Sequence, residues 1–386
     1  MLEAAFRGGK RYWILLGIWT VLILVGLVAY SRQFTEGLTV TGMSQDVTWG
    51  IYIAQFTFLV GVAASAVMVV LPYYLHDYKL FGRMVILGEG LAIAAILMCM
   101  LFIVVDMGQP MRVTNVFLHP TPNSMMFWDT IAVFGYLVLN AIIGAVTFDA
   151  ERKGAPPPGW IKPIIILSIP WAVSIHTVTA FLYAGLEARP FWMTAILAPR
   201  FLASAFSSGP SLLILLALIL RTFTKFDPGK EAIRKLAIIV AYAMTINLFF
   251  VGVELFTALY SDMPHHIHPF EYLFVGLHGH APLRPWMWTG AVLTVICVVG
   301  LLTPKIRNQP KYLAALCVGV IAAIWIEKGV GMVVTGFIPN PMGHITDYAP
   351  TGVEIAVTAG VYALGFLVLT MIYKIVVTVR ERMLAA

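Results

Sequence analysis

Ten long apolar runs, separated by clusters of Gly, Pro and charged residues, leave this chain few folds to choose from. They fall at roughly 12–30, 47–75, 82–105, 128–148, 160–187, 206–223, 232–260, 284–303, 311–337 and 351–378. Most reach the 20 or so residues that a helix needs to cross the hydrocarbon. The alternating segments of about ten residues that mark a membrane barrel are not seen. Charged residues make up 11% of the 386 and mean hydropathy is +0.87, whereas a soluble domain is charged at about a quarter of its positions. The expectation is an all-α integral membrane protein with ten transmembrane helices.

Arg7, Lys10 and Arg11 precede the first run, as in a signal peptide. That run is too long and lacks a small-x-small cleavage site, so it reads as a helix. Placing both termini inside puts nineteen of the 25 Lys and Arg in inner segments and five, Arg200 among them, in outer loops. Lys328 falls within a span. This bias sets the expected orientation in a cytoplasmic membrane. It also accounts for the net charge of +6 without nucleic acid, since no basic stripe with interleaved aromatics lies outside the spans.

Spans 2–5 and 6–9 run in the same directions. Gly61 precedes Asp106 by 45 residues, and Gly209 precedes Glu254 by the same 45. The chain therefore reads as two four-helix bundles in parallel repeat, 44–190 and 205–337, with flanking helices in 1–43 and 345–386.

The richest stretch is 102–140, where Asp106 closes one apolar helix and Asp129 opens the next. Between them runs a polar, Pro-rich hairpin bearing Gln109, Arg112, Asn115, His119 and Asn123. A long loop of this kind is usually functional, and ionisable residues in spans are functional candidates. At 1.5 Å per residue, Gln55 and Tyr136 lie about 12 Å in from the same face. Gln55, Asp106, Asp129 and Tyr136 would then line one slot, capped by His119. An apolar slot with donors for two carbonyls and a carboxylate or His for protons suits a quinone ring. The plainer alternative is that Gln55 and Tyr136 bridge packed helices and the two Asp cap helix ends.

Other polar residues sit deeper. His176, Tyr183 and Glu187 share one helical face by their offsets of 7 and 11, as do Asn247, Glu254, Thr257 and Ser261. Glu327 and Lys328 lie two-thirds of the way across their span, where a lone charge needs a partner; Glu327 or Glu254 with Lys328 is the expected pair. Glu89, in the inner half with no nearby Lys or Arg, is the candidate proton relay. Together Glu89, His176, Glu254, Glu327 and Lys328 suggest a proton or ion path, against a reading as buried structural pairs.

Cys99, Cys297 and Cys317 form no C-x-x-C pair, which argues against an intrinsic iron–sulfur cluster or a disulfide framework. Only His176 is well inside a span, so the paired axial His of a haem b are missing. The HHIH run at 265–268 reads as exposed loop rather than metal site.

The segments WGIYIAQFTFLVGVAASA, VVDMGQPMRVTNVFLHPTPNSMMFWDT and APRFLASAFSSGPSLL resemble the NrfD / polysulfide reductase membrane-subunit family. The resemblance covers most of the chain. Ten spans look like the longer branch, similar to subunits of sulfite-reduction-associated complexes and of other cytochrome c-linked complexes. It implies a menaquinone site on the outer side of the first bundle and no intrinsic cluster. It also implies an extracytoplasmic ferredoxin-like iron–sulfur subunit docked there, multihaem cytochrome c beyond, and further membrane or cytoplasmic redox subunits. By position it assigns ring contacts to Gln55, Asp106, His119 and Tyr136; Trp49, Asn115 and Asp129 join them as neighbours. Asp106, Tyr136 and His119 would act on the quinone. Gln109 stands where the family often has Arg. A transporter or ion channel, and a structural anchor, are the alternative functions.

Overall fold

The computed structural model describes residues 2–76 and 78–385; Met1 and Ala386, the outer limits of the expected flanking segments, lie outside the described residues. Ten helices are long and apolar enough to span a bilayer. They are α1 (Lys10–Glu36), α2 (Ile51–Leu75), α3 (Gly82–Asp106), α4 (Met125–Arg152) and α5 (Ile161–Ala184). After them come α6 (Leu197–Phe223), α7 (Lys230–Ser261), α8 (Arg284–Leu302), α9 (Pro310–Thr335) and α10 (Gly352–Ala385). The described residues contain no strand, only one isolated two-residue bridge.

Helices α2 to α5 pack together, and so do α6 to α9. α10 packs on α1 and α3. Lipid is as apolar as Leu, so close helix contact here rests on small residues and hydrogen bonds. Where α2 meets α6, the two glycines of the expected repeat, Gly61 and Gly209, face each other. A Cβ on Gly209 would fall 3.2 Å from the Gly61 carbonyl oxygen and 3.0 Å from Ser65 Cβ. The flanking pair uses the same device: a Cβ on Gly26 would lie 2.7 Å from Gly360 Cα.

Three of the boundaries that differ from the sequence expectation move candidate residues. α5 ends at Ala184 with Gly185 as its cap, so Glu187 lies exposed in the following turn and shares no helical face with His176 and Tyr183. α6 begins at Leu197 rather than near 206, so Arg200 is not a loop residue but the fourth residue of a helix. Pro199 is tolerated there because first-turn N–H groups have no intrahelical partner. α4 begins at Met125, which carries Asp129 a full turn inside the helix, buried, instead of at its mouth.

Two helices depart from α geometry. α2 tightens to a 3₁₀ turn at Ala64–Ala66. α9 widens to a π turn at Trp325–Gly331, and π turns recur at functional positions.

At the hairpin end, the approach to α2 is tied to the loop before α10. Asn340 Nδ2 and Thr346 Oγ1 each donate to Asp46 at 2.8 Å. These two hydrogen bonds hold the Asp46 carboxyl below its ordinary range. The folded state then binds fewer protons than the unfolded one near pH 4, so the contribution is present at neutral pH. It is lost as pH falls past the ordinary Asp value, about 3.9, toward the lowered one. Hydrogen exchange at 340–346 should accelerate below pH 4 in the wild type, and Asp46→Asn should flatten that dependence.

Candidate functional site

Three of the residues expected to line one slot, Gln55, Asp129 and Asp106, head separate groups, and Tyr136 and His119 join none of them. Gln55 is buried on α2 and turned toward the partners of the first bundle: its Oε1 accepts from Trp325 Nε1 (2.8 Å) on α9 and from Tyr362 OH (2.7 Å) on α10. Asp129, on α4, accepts from Thr179 Oγ1 at 2.6 Å on α5. One turn along α5, the Tyr183 hydroxyl hydrogen-bonds Thr57 on α2. Trp49 covers this second group, 5.7 Å from Trp192 in a stacked pair and 5.4 Å edge-on to Tyr183.

Asp106 heads the third group. It ends α3 beside Val105, whose carbonyl accepts from Gln33 Nε2 (2.6 Å) on α1. Tyr52 OH in turn donates to Gln33 Oε1 at 2.7 Å. Asp106 Oδ1 is itself buried and has no hydrogen-bond partner. Such an orphan is costly and uncommon in a native fold, so a group beyond this chain is its natural complement.

Tyr136 is 2% exposed on α4, with Asn140 Nδ2 donating to its backbone carbonyl at 2.8 Å. His119 and Asn115 are exposed on the hairpin, where residues 110–112 and 115–118 each make one helical turn. No side-chain hydrogen bond joins either of them to the buried groups. An apolar cavity of about 270 Å³ opens between Ala180, Phe181 and Ala184 of α5 and the 193–198 segment. It adjoins the turn that carries Thr179 and Tyr183, and none of the expected ring contacts lines it.

Nearer the end that carries the termini, Glu89 on α3 is 1% exposed. Its Oε2 accepts from Thr147 Oγ1 at 3.4 Å, and its Oε1 has no partner.

The second bundle holds a charge cluster whose pairing departs from the sequence expectation. Arg200, expected as an outer-loop charge, is buried. It pairs with Glu254 on α7 and, through Nη2 at 2.7 Å, with Glu327 on α9. Asn247 Nδ2 donates to Glu327 Oε2 at 3.2 Å. Lys328 takes neither acid. Its Nζ lies 4.1 Å over the Phe201 ring and has no hydrogen-bond partner. The π turn explains the split. It aims Glu327 at the second bundle and Lys328 at the α2–α6 crossing, where Nζ is 3.5 Å from the place a Gly61 Cβ would take. His176 is buried with both ring nitrogens unpartnered. On α7, Asn247 and Glu254 are buried, whereas Thr257 and Ser261 are exposed.

Arg200, Trp325, Tyr362, Thr57, Thr179, Gln33 and Tyr52 are absent from the sequence-derived site. Tyr362 stands as a polar break in an apolar run, a signal that could have marked it, whereas Gln33 falls in the polar stretch 31–36 just after the first run. Among the described residues no group of three His, Cys, Asp or Glu converges as a metal site. Cys99, Cys297 and Cys317 are buried and free.

Known proteins share this plan. A Halobacterium salinarum protein assigned as a membrane component of dimethyl sulfoxide reductase is 26% identical, over 92% of this chain and 88% of its own length. The Hdr-like menaquinol oxidoreductase integral membrane subunit of Archaeoglobus fulgidus is 24% identical over 96% and 95%. The menaquinone reductase integral membrane subunit of Nitratidesulfovibrio vulgaris is 22% identical over 92% and 90%. The solved structure of bd oxidase from Geobacillus thermodenitrificans superposes with a TM-score of 0.53 at 11% identity, covering 94% of this chain and 98% of that one; the likeness is one of fold alone. Residues 39–336 match the family described as Polysulphide reductase, NrfD, and the chain belongs to that family.

Proposed function

We propose that this chain is the quinone-interacting membrane subunit of a multi-subunit redox complex, exchanging electrons between menaquinone and an extracytoplasmic ferredoxin-like iron–sulfur subunit. The observation that carries the reading is Asp106: a half-buried residue whose buried Oδ1 lacks a partner, at the hairpin end of the bundle. A quinol hydroxyl is a complementary donor, and the carboxylate can take its proton. Relatives named as menaquinol oxidoreductase and menaquinone reductase membrane subunits support the substrate class. Asp129, held by Thr179, and Tyr136 complete the polar lining, with Trp49 as an aromatic wall. His119 and Asn115, on the exposed hairpin, meet the docked partner or close over the ring only once that partner is seated.

Electrons leave through the partner, because the chain carries no iron–sulfur or haem motif. The Lys and Arg bias supports a hairpin outside and termini in the cytoplasm. Multihaem cytochrome c beyond the iron–sulfur protein, and a place in sulfite-reduction-associated metabolism, are the finer parts of the proposal. The reading is tested by menaquinol-analogue oxidation in the purified complex and in the same complex lacking this chain. Turnover that persists without the chain would remove quinone chemistry from it.

A proton path is the second reading, favoured by the buried orphans at Glu89, His176 and Lys328 and by the Arg200–Glu254–Glu327 cluster. Glu89→Gln should slow quinone turnover in sealed vesicles about tenfold or lower the protons moved per electron. Unchanged rate and stoichiometry would make Glu89 a structural residue.

A further inference from the structure

At the end of the molecule that carries the termini, a second cavity of about 570 Å³ lies between α1, α6 and α10. Tyr12, Leu15 and Trp19 of α1 face it at spacings of three and four residues. So do Leu216, Ile219 and Phe223 of α6. The third wall is the Phe366–Leu369–Tyr373–Val377 stripe of α10. From Phe366 to Glu381 this wall runs about 22 Å at 1.5 Å per residue, the scale of one extended acyl chain. Ile219 and Phe223 are 50% and 75% exposed, so the crevice opens sideways to lipid.

Its mouth is cationic. Lys374 lines it, with Nζ 5.7 Å from the Tyr12 ring centre. Lys10 and Arg11 open α1 at the same end, and Lys225 directly follows the lining residue Thr224. Glu381 is the one carboxylate among the lining residues. Nearby Arg7, Arg221 and Arg380 are each paired with an acid, Glu3, Asp227 and Glu151; no such pair is described for Lys374, Lys10, Arg11 or Lys225.

We propose that this crevice binds one anionic phospholipid, its acyl chain along the α10 stripe and its phosphate at Lys374. The long apolar wall requires a chain, so inorganic phosphate alone does not fit. Four cations against one carboxylate favour a net-negative headgroup over a zwitterionic one. The site also has structural work to do. In its most apolar stretch α1 is only 6% buried, against 33% or more for every other span, and its helix-length partner is α10. A lipid in the crevice would fasten α1 to α6.

The test is native mass spectrometry of the delipidated purified complex, with phosphatidylglycerol or phosphatidylcholine added back. The wild type should retain phosphatidylglycerol about fivefold better, the worth of roughly one lysine at an anionic surface, and inorganic phosphate should not displace it. Lys374→Gln should erase the preference while keeping total lipid. Ile219→Trp, at a half-exposed position that tolerates bulk, should fill the crevice and lose both lipids. Equal retention of the two lipids by the wild type, or a preference that survives both substitutions, would overturn the proposal.

Discussion

Arg200→Met destabilises the folded chain by about 3–5 kcal/mol, the usual cost of breaking a buried ion pair from one side. Arg200 is the shared partner of Glu254 and Glu327, and its side chain is 10% exposed. Without it two carboxylates face each other within the bilayer, and neither water nor lipid can solvate them. Lys328 is no substitute, because its Nζ lies over Phe201 on the other side of the π turn. The prediction is read by thermal melting in detergent and by the yield of folded protein. A triple variant, Arg200→Met with Glu254→Gln and Glu327→Gln, should regain most of the loss. An Arg200→Met chain that melts with the wild type would mean that the acids find another partner.

Asp106→Asn gives the largest catalytic effect. The amide keeps the size and an acceptor oxygen but cannot take a proton. Loss of a general base lowers turnover by about a hundredfold or more, while assembly and quinone affinity change little. A drop in quinol oxidation with an unchanged KM, in a complex that still holds its partner subunits, is the expected signature. Wild-type turnover in Asp106→Asn would show that the unpartnered Oδ1 is satisfied by something other than substrate.

The architecture was legible because bilayer thickness dictates it. Ten apolar runs became ten helices, most of their ends within about four residues of the expected place; α6 starts nine residues early, and α1 and α10 run six and seven residues further than expected. The misses at α6 and α5, which bear on candidate residues, have a local cause. Arg200 looked like loop because a charge inside a span needs an acid, and its acids lie 54 and 127 residues away. Gly185 ended α5 where periodicity alone would have carried it on to Glu187.

The site was less legible. Depth along a helix can be counted at 1.5 Å per residue, but direction around it cannot be fixed without neighbours. Gln55 and Asp129 lie a turn into α2 and α4, yet their hydrogen bonds run to different helices: Gln55 to Trp325 and Tyr362, Asp129 to Thr179. The roles of Trp325 and Lys328 depend on a π turn, and no residue pattern in WIEKGVG announced it. Gln33 lies on the first span, outside the sequence repeat, although it supports the end of α3 at Val105.

The most direct measurement of the quinone reading is the fluorescence quench of a quinol analogue titrated into the purified complex, for the wild type and for Tyr136→Phe. Loss of one buried hydroxyl from a ring contact weakens binding by up to about tenfold. The expected result is saturable binding in the wild type, weakened in Tyr136→Phe, with the partner subunits retained in both. A complex that keeps its partner and shows no saturable binding would contradict a quinone site in this chain.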